Sequence, residues 1–124
     1  MNIIFLLYCA LALLPPVQTC DKKISQTKYK GRLEIAGICH NYTIKLLEGE
    51  IDTSKISTSW TDPWAGKTYS NVFALGSPCS WPDSLMPGVE FYFYIDTVTE
   101  KDCVTCMAYY PTPPKKLSII VTEK

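Results

Sequence analysis

Histidine is almost absent from this chain, with one, His40, among 124 residues. A zinc hydrolase, or a nucleophile activated by an imidazole base, needs at least one histidine placed among partners. His40 lies between two strand-like segments and beside a glycosylation sequon, where we expect an exposed strand-end residue. Acidic residues occur singly, so no carboxylate pair suited to glycoside chemistry stands out. We therefore predict that the chain is not an enzyme and holds no cofactor or metal of its own.

An excess of either charge is also lacking, because 12 basic residues balance 12 acidic ones. No basic patch with interleaved aromatic residues is present, which argues against a nucleic-acid partner. Basic residues are nevertheless concentrated early in the chain, at Lys22, Lys23, Lys28, Lys30 and Arg32. This segment predicts either a solvated arm or an attraction to an acidic matrix or partner.

Long apolar runs are missing except at the start, where residues 3–14 are apolar but too short to cross a bilayer. Pro15 and Pro16 end this run, and Val17 and Thr19 suit the −3 and −1 positions of a cleavage site. We predict a signal peptide over residues 1–19 and a single secreted, extracellular domain over 20–124. The mature protein would begin with Cys20 and have no membrane attachment.

Six cysteines are present, of which Cys9 would leave with the signal peptide. Secretion exposes the rest to an oxidising compartment, where each disulfide contributes about 2–4 kcal/mol. Five are left as disulfide candidates: Cys20, Cys39, Cys79, Cys103 and Cys106. An odd number leaves one thiol over, which would allow a disulfide-linked dimer. Cys103-Val-Thr-Cys106 has the spacing of a redox dithiol, but no βαβ pattern surrounds it, so two structural cysteines are expected.

A sequon, Asn41-Tyr42-Thr43, predicts glycosylation at Asn41 in a secreted protein. Two tryptophans in a polar segment, Trp60 and Trp64, admit two interpretations. They either hold that segment on the fold, or form an exposed interaction patch for a protein or sugar partner.

Alternation of apolar and polar residues predicts six short strands, over 32–39, 41–47, 69–75, 89–96, 104–110 and 117–121. Residues 48–67 read as a long loop or ribbon, and 80–86 as one helical turn. In the fourth strand we expect Val89, Phe91, Phe93 and Ile95 to face the core, with the intervening tyrosines outside. The chain is therefore all-β with small α content. A five-stranded Greek-key barrel with an extra edge strand fits the count, and a sandwich is the alternative, although the Cys and Trp spacing is not the immunoglobulin one.

Three stretches together resemble the netrin-like superfamily, and within it the amino-terminal domain of the tissue inhibitors of metalloproteinases. They are the presumed terminal Cys20, the run Val72–Ser80 with Leu85–Ile95, and Cys106–Pro111 followed by Leu117-Ser118. The resemblance implies an oligonucleotide-binding (OB) type barrel of five strands with short helices. It also implies a disulfide from Cys20 to Cys79.

The resemblance further implies a function. In those inhibitors the free α-amine and carbonyl of the first cysteine chelate the catalytic zinc of a protease and displace its water. Here Cys20 would be the chelator, Asp21 would enter the specificity pocket, and the loop residues Ser77, Pro78 and Ser80 would make flanking contacts.

Two positions depart from the family, and at the first, Asp21 stands where the family usually has a small Thr or Ser. Lys22 stands where the family has a second cysteine, so Cys106 lacks its usual partner. We expect Cys39 to pair with Cys103 or Cys106, and a second molecule is the other source of a partner. The leading expectation is inhibition of an extracellular metalloproteinase, and the alternative is a non-inhibitory matrix or secretion module. A small-ligand barrel is less favoured, because side chains fill the interior of so small a barrel.

Overall fold

The computed structural model describes residues 27–97 and 106–122. The predicted signal peptide, Cys20, Asp21 and Cys103 lie outside these residues. Two single-turn 3-10 helices, Ile38–His40 and Pro78–Ser80, accompany seven strands. The strands are β1 (Tyr29–Ala36), β2 (Tyr42–Glu48), β3 (Ser57–Thr61), β4 (Thr68–Leu75), β5 (Glu90–Ile95), β6 (Lys116–Leu117) and β7 (Ile119–Thr122). The all-β prediction with little helix is confirmed.

The strands pair in the order β3-β4-β2-β1-β5-β7, and each neighbouring pair is antiparallel. The short strand β6 pairs with β4 in parallel. Only Ser118 separates β6 from β7, so the segment 116–122 reaches β4 at one end and β5 at the other. The pairing therefore runs from β4 through β2, β1, β5 and β7, and returns to β4 through β6. Strand β3 lies outside this series.

An aromatic cluster occupies the centre of the core. Phe93 is fully buried, and its ring lies 5.5 Å from Tyr29, 5.8 Å from Phe73 and 5.9 Å from Phe91, measured between centroids. Gly31 of β1 makes this packing possible, because a Cβ there would lie 3.0 Å from the Phe93 ring. Aliphatic side chains complete the interior, among them Leu33, Ile44 and Ile119.

The predicted parity of β5 is confirmed at its centre and wrong at its start. Phe91 and Phe93 are buried, and Ile95 packs against the core while partly exposed. Val89, however, is 39% exposed. The strand begins only at Glu90, since Gly88, at φ 88°, still belongs to the preceding turn. Val89 therefore lies outside the alternation that orients the strand residues.

The segment 48–67, predicted as a long loop or ribbon, contains β3, which forms a ribbon with β4. The prediction of a strand over 104–110 is wrong for its described part, because residues 106–110 are irregular. They lead into Pro111 and Pro113, both fully buried, and proline has no amide hydrogen to donate to a strand ladder.

Turns account for two smaller differences. The predicted helical turn over 80–86 is wrong in position, because the 3-10 turn spans Pro78–Ser80. The first predicted strand, 32–39, ends at Ala36. Cys39 and His40 adopt left-handed backbone conformations, with φ of 60° and 56°, which lie outside the extended region of a regular strand.

Candidate functional site

The turn that follows β4 is fastened to the carboxy-terminal strand by one buried hydroxyl. Ser77 Oγ donates to the carbonyl oxygen of Ile119 at 2.9 Å and accepts from its amide nitrogen at 2.8 Å. Ser77 is 1% exposed, so its side chain does not lie at the surface, where a flanking contact was predicted. Ser80, also in this turn, donates through its backbone N–H and its Oγ to the carbonyl oxygen of Ser77, at 3.3 and 3.2 Å.

Cys79 projects from this fastened turn. It is exposed and disulfide-bonded. Cys39 and Cys106 bond to each other, so neither of the other cysteines in 27–97 and 106–122 is its partner. The predicted partner, Cys20, lies outside the described residues. Pro78, which is half-buried, and Ser80, which is exposed, flank Cys79.

A second disulfide lies at the turn between β1 and β2. Cys39 pairs with Cys106, with their Cα atoms 5.2 Å apart, which lies within the usual range for disulfides. The prediction that Cys39 pairs with Cys103 or Cys106 is thus confirmed, with Cys106 as the partner. The bond attaches the turn between β1 and β2 to the irregular segment 106–110.

Side-chain contacts strengthen the same attachment. Asn41 Nδ2 donates to the carbonyl oxygens of Ile38 at 2.9 Å and Ala108 at 3.0 Å. The Tyr110 ring lies on Gly37, where an added Cβ would come within 2.4 Å of it. Glycine at this position therefore lets the segment approach the end of β1.

An exposed aromatic corner, defined as Trp64, Tyr109 and Tyr110, is built on this attachment. The Trp64 ring meets the rings of Tyr110 and Tyr109 edge to face, at 5.1 and 6.1 Å. Trp64 is 63% and Tyr109 73% exposed. The buried Asp62 orients the loop, because its Oδ1 accepts the Trp64 amide hydrogen at 2.9 Å. Neither tyrosine was assigned to a site from the sequence.

Trp60 belongs to a different cluster on the β3–β4 ribbon. It stacks on Tyr69 with centroids 6.0 Å apart, and Lys67 Nζ lies 5.1 Å from the Tyr69 ring centre. Burial raises the pKa of Tyr69, and the nearby charges of Glu34 and Asp62 add to the effect. Trp60 therefore fits the interpretation in which the tryptophan holds the segment on the fold. Trp64 is exposed, as the other interpretation requires.

The third tryptophan is structural. Trp81 is 6% exposed and meets the rings of Phe91 at 5.2 Å and Tyr42 at 5.6 Å, both edge to face. It thereby packs the end of the Cys79 turn onto the core. His40 is exposed, as expected for a strand-end residue, and its ring lies 5.3 Å from that of Tyr42.

A surface cleft of about 650 Å³ lies beside the loop after β2. Leu46, Ile51 and Ile56 contribute apolar walls, and Glu50 and Asp52 contribute carboxylates. Hydrogen bonds from Ser54 lower the pKa of Asp52, with a smaller contribution from the charge of Lys55. The Asp52 carboxylate thus serves the turn it begins.

Metal-ligating side chains are dispersed: within 27–97 and 106–122, no three of His, Cys, Asp and Glu are grouped to hold an ion. No helix among these residues is long and apolar enough to span a membrane. No protein-family model, curated protein or solved structure matches the chain.

Proposed function

We propose that the chain is a secreted inhibitor of extracellular zinc metalloproteinases that acts through the α-amine and carbonyl of Cys20. The observation that carries the proposal is the exposed, disulfide-bonded Cys79 on a turn fixed to the core. A terminal cysteine bonded to Cys79 would be held against a rigid part of the surface. Rigidity lowers the entropy lost on binding, which favours a small inhibitory wedge.

The chemistry depends on the amine being free. An α-amino group has an ordinary pKa of about 7.7–8.0, so zinc displaces its proton readily near neutral pH. Chelation would remove the water that the protease needs as its nucleophile. Any residue preceding Cys20 would turn the amine into an amide, which is a poor ligand.

The direct test is a titration of the chain beginning at Cys20 against matrix metalloproteinases, with a fluorogenic peptide as substrate. We expect inhibition, and an Ala inserted before Cys20 should abolish it. The matched control appends the same Ala after Lys124, which leaves the amine free and should inhibit normally. Proteases that stay fully active with micromolar Cys20-start protein would contradict the proposal.

Asp21 offers a second test at the same site. Burying its carboxylate in an apolar specificity pocket without a partner costs free energy. Asp21→Thr should therefore strengthen inhibition of proteases with apolar pockets, whereas Asp21→Asn should help less because its amide still needs hydrogen-bond partners. Unchanged inhibition constants for both variants would show that residue 21 does not enter the pocket.

One observation favours the alternative, a non-inhibitory matrix or secretion module. The aromatic corner exposes Trp64 and Tyr109 together, and exposed aromatic side chains are frequent anchors of interfaces. If inhibition fails, binding to extracellular matrix should depend on Trp64. Trp64→Ala would then abolish binding, while Trp60→Ala is the matched control that alters a tryptophan of the ribbon.

A further inference from the structure

We infer that Asn41 carries an N-linked glycan, attached before the sheet forms, and that its first sugars lie on the aromatic corner. The inference rests on secretion, which is part of the proposed function. It goes beyond the sequon because it assigns the glycan a place on the fold and a time of attachment. The burial of Thr43 indicates when the glycan is attached, and the contacts of Asn41 indicate where the glycan lies.

Thr43 is fully buried, and its Oγ1 has no hydrogen-bond partner. Burying such a hydroxyl is unfavourable, and a valine of the same shape would fill the position without that penalty. The folded protein therefore makes no use of the hydroxyl. The sequon does, because the transferring enzyme requires Ser or Thr two residues after the asparagine. Since Thr43 is inaccessible in the sheet, it can serve the sequon only before folding.

The reaction needs a lipid-pyrophosphate-linked oligosaccharide as co-reactant, which the secretory pathway supplies. A bond forms between Asn41 Nδ2 and the anomeric carbon of the first sugar. The bond from that carbon to phosphate breaks, and the lipid pyrophosphate leaves with its electron pair. One Nδ2 proton is lost to a base of the transferring enzyme.

The hydrogen bonds of Asn41 in the folded protein are compatible with a glycan on Nδ2. Nδ2 keeps one hydrogen, which can stay on the Ala108 oxygen at 3.0 Å. The Ile38 oxygen loses its bond from Nδ2, but it still accepts from the Asn41 backbone N–H at 3.2 Å. Glycosylation therefore leaves neither carbonyl oxygen without a donor.

The surroundings of Asn41 give the sugars an apolar surface. Ala108, which accepts from Nδ2, is followed directly by Tyr109 and Tyr110 of the aromatic corner. Met107 on its other side is 96% exposed, and Ile38 is 59% exposed. Sugar rings present C–H groups that pack on aromatic faces, so a glycan starting here would cover side chains that otherwise face water.

Attachment is tested on the full chain secreted from eukaryotic cells, by intact mass before and after treatment with an N-glycosidase. We expect wild type and Thr43→Ser to lose mass on treatment, and Thr43→Val to show no change. Secreted wild-type protein whose mass does not change would overturn the inference. Thr43→Val should also unfold at a higher urea concentration than wild type when both come unglycosylated from a bacterial periplasm.

The place of the glycan is tested by acrylamide quenching of tryptophan fluorescence. Thr43→Val is the unglycosylated comparator, because it keeps both Asn41 contacts. Wild type secreted while lipid-linked oligosaccharide synthesis is inhibited is a second comparator, should the variant fold poorly. We expect at least a twofold smaller quenching constant for the most accessible tryptophan in the glycosylated protein, and no such difference in a Trp64→Phe background.

Equal quenching with and without the glycan would overturn the placement. The outcome is separable from that of the proposed function. A secreted, unglycosylated protein that inhibits proteases would remove this inference alone, whereas a shielded Trp64 without inhibition would remove only the inhibitor.

Discussion

Two disulfide-bonded regions of this molecule differ in how they use their cysteines. The turn at Cys79 is fixed from beneath by Ser77 and presents little apolar surface. The region around Cys39–Cys106 is held differently. Its disulfide and Asn41 fasten the irregular segment 106–110, which exposes aromatic rings. The Cys79 turn is therefore suited to presenting a rigid backbone to a partner. The Cys39–Cys106 region is suited to binding a partner, or being covered by one, through its exposed side chains.

The largest effect should come from breaking the core on which both regions rest. Phe93→Ala removes a fully buried ring that contacts Tyr29, Phe73 and Phe91. We expect a loss of about 3–5 kcal/mol in the free energy of unfolding. Urea denaturation followed by fluorescence measures it, and a loss below 1 kcal/mol would contradict the described packing.

Removing the Cys39–Cys106 disulfide should affect the aromatic corner without affecting the Cys79 turn. Replacing Cys39 and Cys106 together by Ser removes a bond between residues 67 apart, for an expected loss of about 2–4 kcal/mol. Trp64 fluorescence should change, whereas protease inhibition by the folded protein should persist. Loss of the proposed inhibition while the sheet stays folded would show that the two regions are coupled.

Removing the anchor of the Cys79 turn makes the reciprocal test. Ser77→Ala leaves the backbone N–H and C=O of Ile119 without their buried partner, which should cost about 1–3 kcal/mol. Inhibition should weaken because the turn loosens, and Trp64 fluorescence should not change. Ser80→Ala, in the same turn but exposed, is the matched control and should have little effect on stability.

The smallest effect on stability should come from the aromatic corner. Trp64→Ala should change the free energy of unfolding by about 0.5 kcal/mol or less, because the side chain is mostly exposed. Thermal unfolding of the variant measures this. A loss of several kcal/mol would mean that Trp64 holds the loop on the fold instead of presenting a surface.

The sequence predicted the parts of the fold that obey strict alternation. Phe91 and Phe93 were placed correctly because alternate residues at the centre of β5 are buried. β3 was predicted only as part of a loop or ribbon because its residues are mostly polar and exposed, so the strand is stabilised by pairing with β4 rather than by burial.

The candidate site was predictable only in part. The apolar run after Cys106 has the composition of a strand, but Cys39, Asn41 and the prolines that follow determine its path. These contacts join residues distant in sequence, and no local pattern encodes them. The local signal was the Tyr109-Tyr110 pair before Pro111, because two adjacent tyrosines next to a proline are typical of a surface segment.

The dual pairing of residues 116–122, with β4 and with β5, has a consequence for biosynthesis. This segment follows β4 and β5 in the chain, so the edge positions that it covers on both strands stay unpaired until it has been synthesised. These last pairings should form slowly, since they join parts of the chain that are distant in sequence. Until they form, both edges are open to pairing with another chain.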